Sequence, residues 1–214
     1  MRAVITGGTN GIGLSVAHAL GKAGYDIILT GIDKKSAESA LESLQKEKSN
    51  AEFLFADSTK EDDINNAFRE ISERYNSLDV LVNNVGGLGG RQQLETMETK
   101  FMRDVMALNF DSAFFATRAA APLLKRGENA SVINYSTIAV TSGGGAGASI
   151  YAAAKGAIEG FTRAMAKELG ADNIRVNAVS PGTIDTAFHA ATAREVMESW
   201  KTGIVMKRFG EPEE

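Results

Sequence analysis

Tyr151 and Lys155 stand four positions apart in Tyr151-Ala152-Ala153-Ala154-Lys155. On a helix that spacing puts both side chains on one face, so a phenol and an ammonium can serve one site. A free tyrosine titrates near ~10, and a nearby cation favours its phenolate. Such a tyrosine can exchange a proton with an alcohol or ketone near neutral pH. At the start of the chain, Thr6-Gly7-Gly8-Thr9-Asn10-Gly11-Ile12-Gly13 follows a strand-like run and precedes the amphipathic stretch 14–20. Its glycines permit tight turning and close backbone approach, and the helix N-terminus beyond them then faces a phosphate. The spacing Gly7-x-x-x-Gly11-x-Gly13 differs from G-x-G-x-x-G, so a glycine-rich turn that binds nothing competes with a dinucleotide seat. Together the two segments imply hydride transfer.

Other polar residues fall between them. Ser136 ends a candidate strand 15 positions before Tyr151, across Gly143-Gly144-Gly145-Ala146-Gly147. Its hydroxyl could polarise a carbonyl that Tyr151 protonates, or form a turn. Asp33 lies 20 residues after Gly13, where an acid that bonds the adenosine ribose is expected, and where a cap for a helix starting near Lys34 would also sit. Asp57 ends the third candidate strand and has the same two readings. Asn83 and Gly86, in Asn83-Asn84-Val85-Gly86, end the fourth, at the edge where parallel sheets gather ligands.

The elements that must position these groups alternate. Candidate strands are residues 3–6, 26–30, 52–56, 78–83, 131–136 and 175–180, several of them apolar throughout, as strands buried on both faces are. Helical patterns cover about 11–24, 34–49, 60–75, 98–126 and 150–170. Strict βα alternation implies right-handed crossovers and a doubly wound parallel sheet of the α/β class, read as one domain over residues 1–214. Residues 187–205 carry Phe188, Met197 and Trp200 at loosely helical spacing, either as a cover over the substrate or as a core helix. His18 is expected on the first helix surface, and His189 beside the pocket.

Composition limits the function classes. The net charge of −4 and an isoelectric point near 5.4 argue against a nucleic-acid surface. No apolar run approaches the roughly 18 residues that span a bilayer, and the start lacks a signal peptide's apolar core. The expected location is cytoplasmic. There is no cysteine, hence no thiolate chemistry, and no metal-ligand spacing of the kind a zinc dehydrogenase needs. Small residues such as Ala113, Ala116, Ala120, Ala153 and Gly160 suit close helix packing, within the chain or across a homodimer or homotetramer.

With these residues in view, the chain resembles the short-chain dehydrogenase/reductase family from Ala3 to about Pro212. Residues 6–13 resemble its TGxxxGIG cofactor loop, with Gly7, Thr9, Asn10, Gly11, Ile12 and Gly13 as candidate cofactor contacts. Asn83–Gly86 resembles its NNAG segment, with Val85 in place of alanine. Asn109, Ser136, Tyr151 and Lys155 match its catalytic set. Pro181-Gly182-Thr183-Ile184-Asp185-Thr186 resembles its PGxxxT segment, so Pro181, Gly182, Ile184 and Thr186 would lie beside the nicotinamide. The resemblance implies that Tyr151 is general acid in reduction and general base in oxidation. It further implies that Lys155 lowers the tyrosine pKa and bonds the ribose, Ser136 orients the substrate oxygen, and Asn109 holds a water.

Cofactor choice is read as NAD or NADP, leaning to NAD. Gly31 stands where NAD-preferring relatives carry an acid, Ile32 where NADP-preferring ones often carry arginine, and Asn10 replaces a basic loop residue. Asp33 would repel a 2′-phosphate, while Lys34 and Lys35 could attract one. The family continues past a segment like Arg208–Glu214 into another helix and a last strand, so a C-terminally incomplete domain is expected. The functional expectation is interconversion of a secondary alcohol and a ketone, either a 3-oxoacyl thioester or a sugar or small alcohol. The alternatives are a dinucleotide-binding protein without turnover and, less consistent with the tyrosine–lysine pair, a methyltransferase.

Overall fold

The computed structural model describes residues 1–187 and 194–214. Six strands alternate with helices. They are β1 (Arg2–Thr6), β2 (Asp26–Gly31), β3 (Ala51–Phe55), β4 (Val80–Asn83), β5 (Ser131–Tyr135) and β6 (Arg175–Val179). All pair in parallel, in the order β3-β2-β1-β4-β5-β6. The order reverses between β1 and β4, which opens a crevice at the carboxyl ends of those two strands. This single α/β unit is the doubly wound sheet the alternation implied.

The helices are α1 (Gly11–Lys22), α2 (Lys34–Lys46), α3 (Glu61–Arg74), α4 (Thr99–Met106), α5 (Ser112–Leu124), α6 (Ala139–Ser142), α7 (Ser149–Glu168) and α8 (Arg194–Gly203). They form two layers because strand side chains alternate faces. Ala3, Ile5, Ile27, Leu29, Val80 and Val82 pack with Ala17 of α1 and with Ala40 and Leu44 of α2. Val4, Ile28, Leu81 and Val132 pack on the opposite face with Ile64 and Phe68 of α3 and Leu123 of α5. Full burial of each large aliphatic side chain contributes roughly 1.5–3 kcal/mol.

Helix α7 joins this second layer. Phe161 meets Phe110 and Phe114 edge-on at 5.8 and 6.1 Å between ring centroids. A buried polar chain ties α7 to the sheet. Asn83 Nδ2 donates to Thr117 Oγ1 and Asn134 Oδ1, and Asn134 Nδ2 donates to Thr162 Oγ1, at 2.8–2.9 Å. In a water-poor interior such bonds are costly to break, so they set how α7 sits on β4 and β5.

Three differences from the sequence reading have local causes. The expected helix over 98–126 is divided by a π-helical turn at Ala107–Asp111, which widens the helix by a residue and carries Asn109. Strand β4 begins at Val80 rather than 78, since the Asp79 carboxylate accepts from the N–H groups of Arg2 and Glu128. Helix α8 contains no fully buried residue, so the core-helix alternative for 187–205 does not hold there, while Phe188 and His189 lie outside the described residues. Among the described residues, no helix is long and apolar enough to cross a membrane.

Candidate active site

A cavity of about 630 Å3 opens at the carboxyl edge of the sheet. One end is backbone. The loop after β1 turns at Gly7, whose φ of +62° suits glycine, and leads into α1. A Cβ on Gly13 would lie 2.6 Å from both the Gly7 carbonyl and the Asn84 amide, so the helix can approach the strand only with a bare Cα there. Asn10, Gly11 and Ile12 line the cavity. The first turn of α1 has no side-chain cap and no acidic residue. Its amides therefore point to water or to an anion.

The far wall is built from side chains. Helix α7 brings Tyr151 and Lys155 into the cavity together, as four-residue spacing requires. Lys155 is 4% exposed and donates from Nζ to the Tyr135 carbonyl at 2.8 Å. Burial lowers its pKa to about 8. Gly86 makes room for this amine, since a Cβ there would lie 2.7 Å from Lys155 Nζ and 2.8 Å from Asn109 Oδ1. Asn109 is fully buried and braces the adjoining loop. Its Nδ2 donates to the carbonyls of Gly87 and Val105, and its Oδ1 accepts from Gly87 N–H.

Tyr151 departs from expectation in its acidity. Burial pushes its phenol above the ordinary value, and a hydrogen bond with the Thr137 hydroxyl pulls the other way. The lowering by Lys155 expected from the resemblance is not among the causes of this shift, which burial dominates.

Ser136 and Thr137, at the end of β5, both line the cavity, but their hydroxyls take different partners. Ser136 Oγ donates to Glu159 Oε1 at 2.8 Å, whereas Thr137 bonds Tyr151. Thr137 Oγ1 also accepts from Ala139 N–H at 3.3 Å, which leaves its proton for donation. Sequence reasoning passed over Thr137. The signal was available in strand parity, because Ser136 shares a face with Asn134, and both reach α7 side chains. Asn83 and Asn84 likewise take different partners. Asn83 is buried against Thr117 and Asn134, while Asn84 lines the cavity and donates to the carbonyls of Thr6 and Gly7.

Of the remaining candidates, Pro181, Gly182, Ile184 and Thr186 line the cavity opposite α1. Thr186 lies beside Gly11, and the 183–185 segment is held by backbone bonds to Gly210. Gly7, Thr9 and Gly13 shape the loop without lining the cavity. Asp33 sits outside it and caps α2, accepting from Lys35 N–H, Ser36 N–H and the Ser36 hydroxyl. Asp57 caps the turn before α3 by accepting from Thr59 N–H and its hydroxyl. Leu88, Arg91 and Trp200 are lining residues that the motifs did not single out. His18 is on α1 as expected, bridged to Glu47 and Ser43.

The uncapped amides of α1 and the bare Cα of Gly11 facing Thr186 fit the pyrophosphate of a dinucleotide, and the hydroxyl and amine groups of α7 fit a ribose and a carbonyl. Comparison with known proteins agrees. The family model for short chain dehydrogenase matches residues 1–196. The 3-oxoacyl-(acyl-carrier-protein) reductase FabG of Chlamydia trachomatis is 32% identical over 213 residues, which are 99% of this chain and 85% of that protein. An NADH-dependent reductase A1-R′ responsible for alginate metabolism superposes with a TM-score of 0.90 at 34% identity, over 100% of this chain and 85% of that one. A short chain dehydrogenase from Burkholderia cenocepacia in complex with NADP superposes with a TM-score of 0.91 at 29% identity, over 99% and 85%. The chain belongs to the short-chain dehydrogenase/reductase family and is an NAD(P)-dependent oxidoreductase of alcohol and carbonyl groups.

Proposed function

We propose that this enzyme reduces a ketone to a secondary alcohol with NADH, using Tyr151 as the general acid. The observation that carries the reading is the convergence of the Tyr151 phenol, the Thr137 hydroxyl and the Lys155 amine at one cavity, opposite the uncapped start of α1. The nicotinamide supplies the hydride when bound. Thr137 donates a hydrogen bond to the substrate carbonyl and polarises it, while Ser136 is turned away to Glu159. Tyr151 then gives its proton to the oxygen as negative charge develops there. A phenol whose acidity burial lowers carries the proton that reduction requires. Lys155 and Tyr151 would hold the nicotinamide ribose, Lys155 from an amine steadied by Tyr135.

The NADH preference rests on charge. Asp33 is held ionised by its hydrogen bonds to Ser36 and Lys35, and its carboxylate at the end of β2 would repel a 2′-phosphate. The glycine loop carries Asn10 in place of a cation. Both a 3-oxoacyl thioester and a sugar-derived or other small ketone suit this chemistry.

The test is fluorescence titration with NADH and NADPH, followed by turnover on a panel of 3-oxoacyl thioesters, sugars and simple ketones with their alcohols. Tighter NADH binding and reduction of a ketone are expected. Tighter NADPH binding overturns the cofactor assignment. Binding without turnover of any member supports the competing reading, a dinucleotide-binding protein that does no chemistry.

A further inference from the structure

Tyr151, Lys155 and Glu159 stand at i, i+4 and i+8 on α7, and so share one face. Each engages a different one of three consecutive residues where β5 ends. Tyr151 bonds the Thr137 hydroxyl. Lys155 Nζ donates to the Tyr135 carbonyl at 2.8 Å, and Ser136 Oγ donates to Glu159 Oε1 at 2.8 Å. The first two contacts belong to the chemistry proposed above. The third does not, and nothing assigned so far uses Glu159.

Thr137 is aimed by the bond from Ala139 N–H to its Oγ1 and by how its own peptide is held. Tyr135 is the last residue of β5, and the sheet reaches one residue further through the bond from Ser136 N–H to the Val179 carbonyl. Beyond that point Ile138 N–H bonds the Pro181 carbonyl and the Thr137 carbonyl accepts from Val140 N–H, so backbone bonds hold the chain on the β6 side and Ser136 Oγ adds an anchor on α7. Ser136 also separates two cavities, the one described above and a smaller one of about 330 Å3 between α7 and β6 that Glu159 lines. A serine hydroxyl anchored on the Glu159 side holds its own peptide in place, and with it the direction in which the next side chain leaves.

We propose that Glu159 is a positioning residue, acting through Ser136 to hold the Thr137 hydroxyl against Tyr151. This rests on the roles of Tyr151 and Thr137 given above. It makes the α7 face a three-contact clasp in which two contacts do chemistry and the third keeps them in register. A charge-assisted bond at a half-buried site is strong enough to do this, and its removal frees Ser136 Oγ to take other partners.

The experiment compares Glu159→Ala, Glu159→Gln, Ser136→Ala, Thr137→Ala and the Glu159→Ala/Thr137→Ala double variant in the full chain. Steady-state kinetics give kcat and KM. Phenolate absorbance followed against pH, with Tyr151→Phe subtracted, gives the titration of Tyr151 without any need for turnover. Glu159→Ala and Ser136→Ala are expected to lower kcat about tenfold, leave the KM for NADH unchanged, and move the Tyr151 titration upward as Thr137→Ala does. Glu159→Gln keeps an acceptor oxygen and should recover most of the loss. In the Thr137→Ala background, Glu159→Ala should add nothing.

A Glu159→Ala variant with parental kcat and Tyr151 titration overturns the proposal, as do losses that multiply with Thr137→Ala or a Gln variant no better than Ala. A lowered melting temperature without a shifted titration assigns the bond to stability alone. If the parent reduces no ketone, the function proposed above fails while the titration still decides whether the clasp exists.

Discussion

Helices α1 and α2 start from neighbouring strands, on the same face and at the same edge of the sheet, yet their N-termini are treated in opposite ways. Asp33 closes α2 by accepting from two backbone N–H groups and the Ser36 hydroxyl. Helix α1 follows Asn10, whose side chain makes no cap, and its first turn holds no acid. Every helix leaves its first amides without intrahelical partners. One end satisfies them internally, and the other leaves them facing a cavity with Tyr151 and Lys155 across it. Identical backbone physics thus gives a structural joint at one strand end and an uncapped end open to an anion at the next.

Substitutions should sort by which end they touch. The largest effect is expected for Tyr151→Phe, across the cleft from α1. Its kcat should fall by about 10²–10⁴ while NADH binding, followed by fluorescence, weakens only by the loss of one ribose hydrogen bond. Parental activity in this variant would remove the acid–base role.

Lys155 gives a pH-dependent effect on stability. Burial lowers it to about 8, against ~10.4 in the unfolded chain. Between those values the unfolded state holds the extra proton, so stability rises with pH across that window. The penalty is complete below pH 8 and fades toward the unfolded value. Denaturant unfolding should therefore show the parent gaining on Lys155→Met by up to about 3 kcal/mol as pH climbs from 7 to beyond 10. A difference independent of pH would contradict a depressed lysine.

Gly13→Val acts at the α1 end. The added carbons meet backbone at 2.6 Å, and relieving that overlap costs roughly 1–3 kcal/mol. NADH affinity should fall about tenfold or more, with the Tyr151 titration unchanged. An unaltered affinity would show that the start of α1 is not the seat. The smallest effect is expected at the capped end. Asp33→Asn preserves a capping side chain and removes a charge, so melting should barely change while NADPH gains on NADH. Unchanged discrimination would leave Asp33 as a cap alone.

The fold was legible where patterns are periodic. Apolar runs such as Val80-Leu81-Val82 mark strands buried on both faces, and the four-residue step from Tyr151 to Lys155 marks a shared helix face. Legibility failed where one residue of register decides. At the ends of β4 and β5, the side chains of Asn83 and Ser136 bond the α5 and α7 layer, while Asn84 and Thr137 line the cleft, which Ser136 also borders. Motif matching named the first member of each polar pair, whereas the hydroxyl that bonds Tyr151 belongs to Thr137, since adjacent strand residues face opposite ways. The π-helical turn at Asn109 was invisible because a single extra residue scarcely disturbs a 3.6-residue pattern over so long a helix. Asp33 showed the same two readings in sequence as a ribose ligand and a cap, and its hydrogen bonds show the cap.

The most direct test is a crystal structure of the chain with a bound nicotinamide dinucleotide. The pyrophosphate should rest on the first-turn amides of α1, with the nicotinamide ribose hydrogen-bonded to Tyr151 and Lys155 and the ring beside Thr137. A pyrophosphate seated elsewhere, or a nicotinamide remote from α7, would contradict the division of labour between the two ends of the cleft.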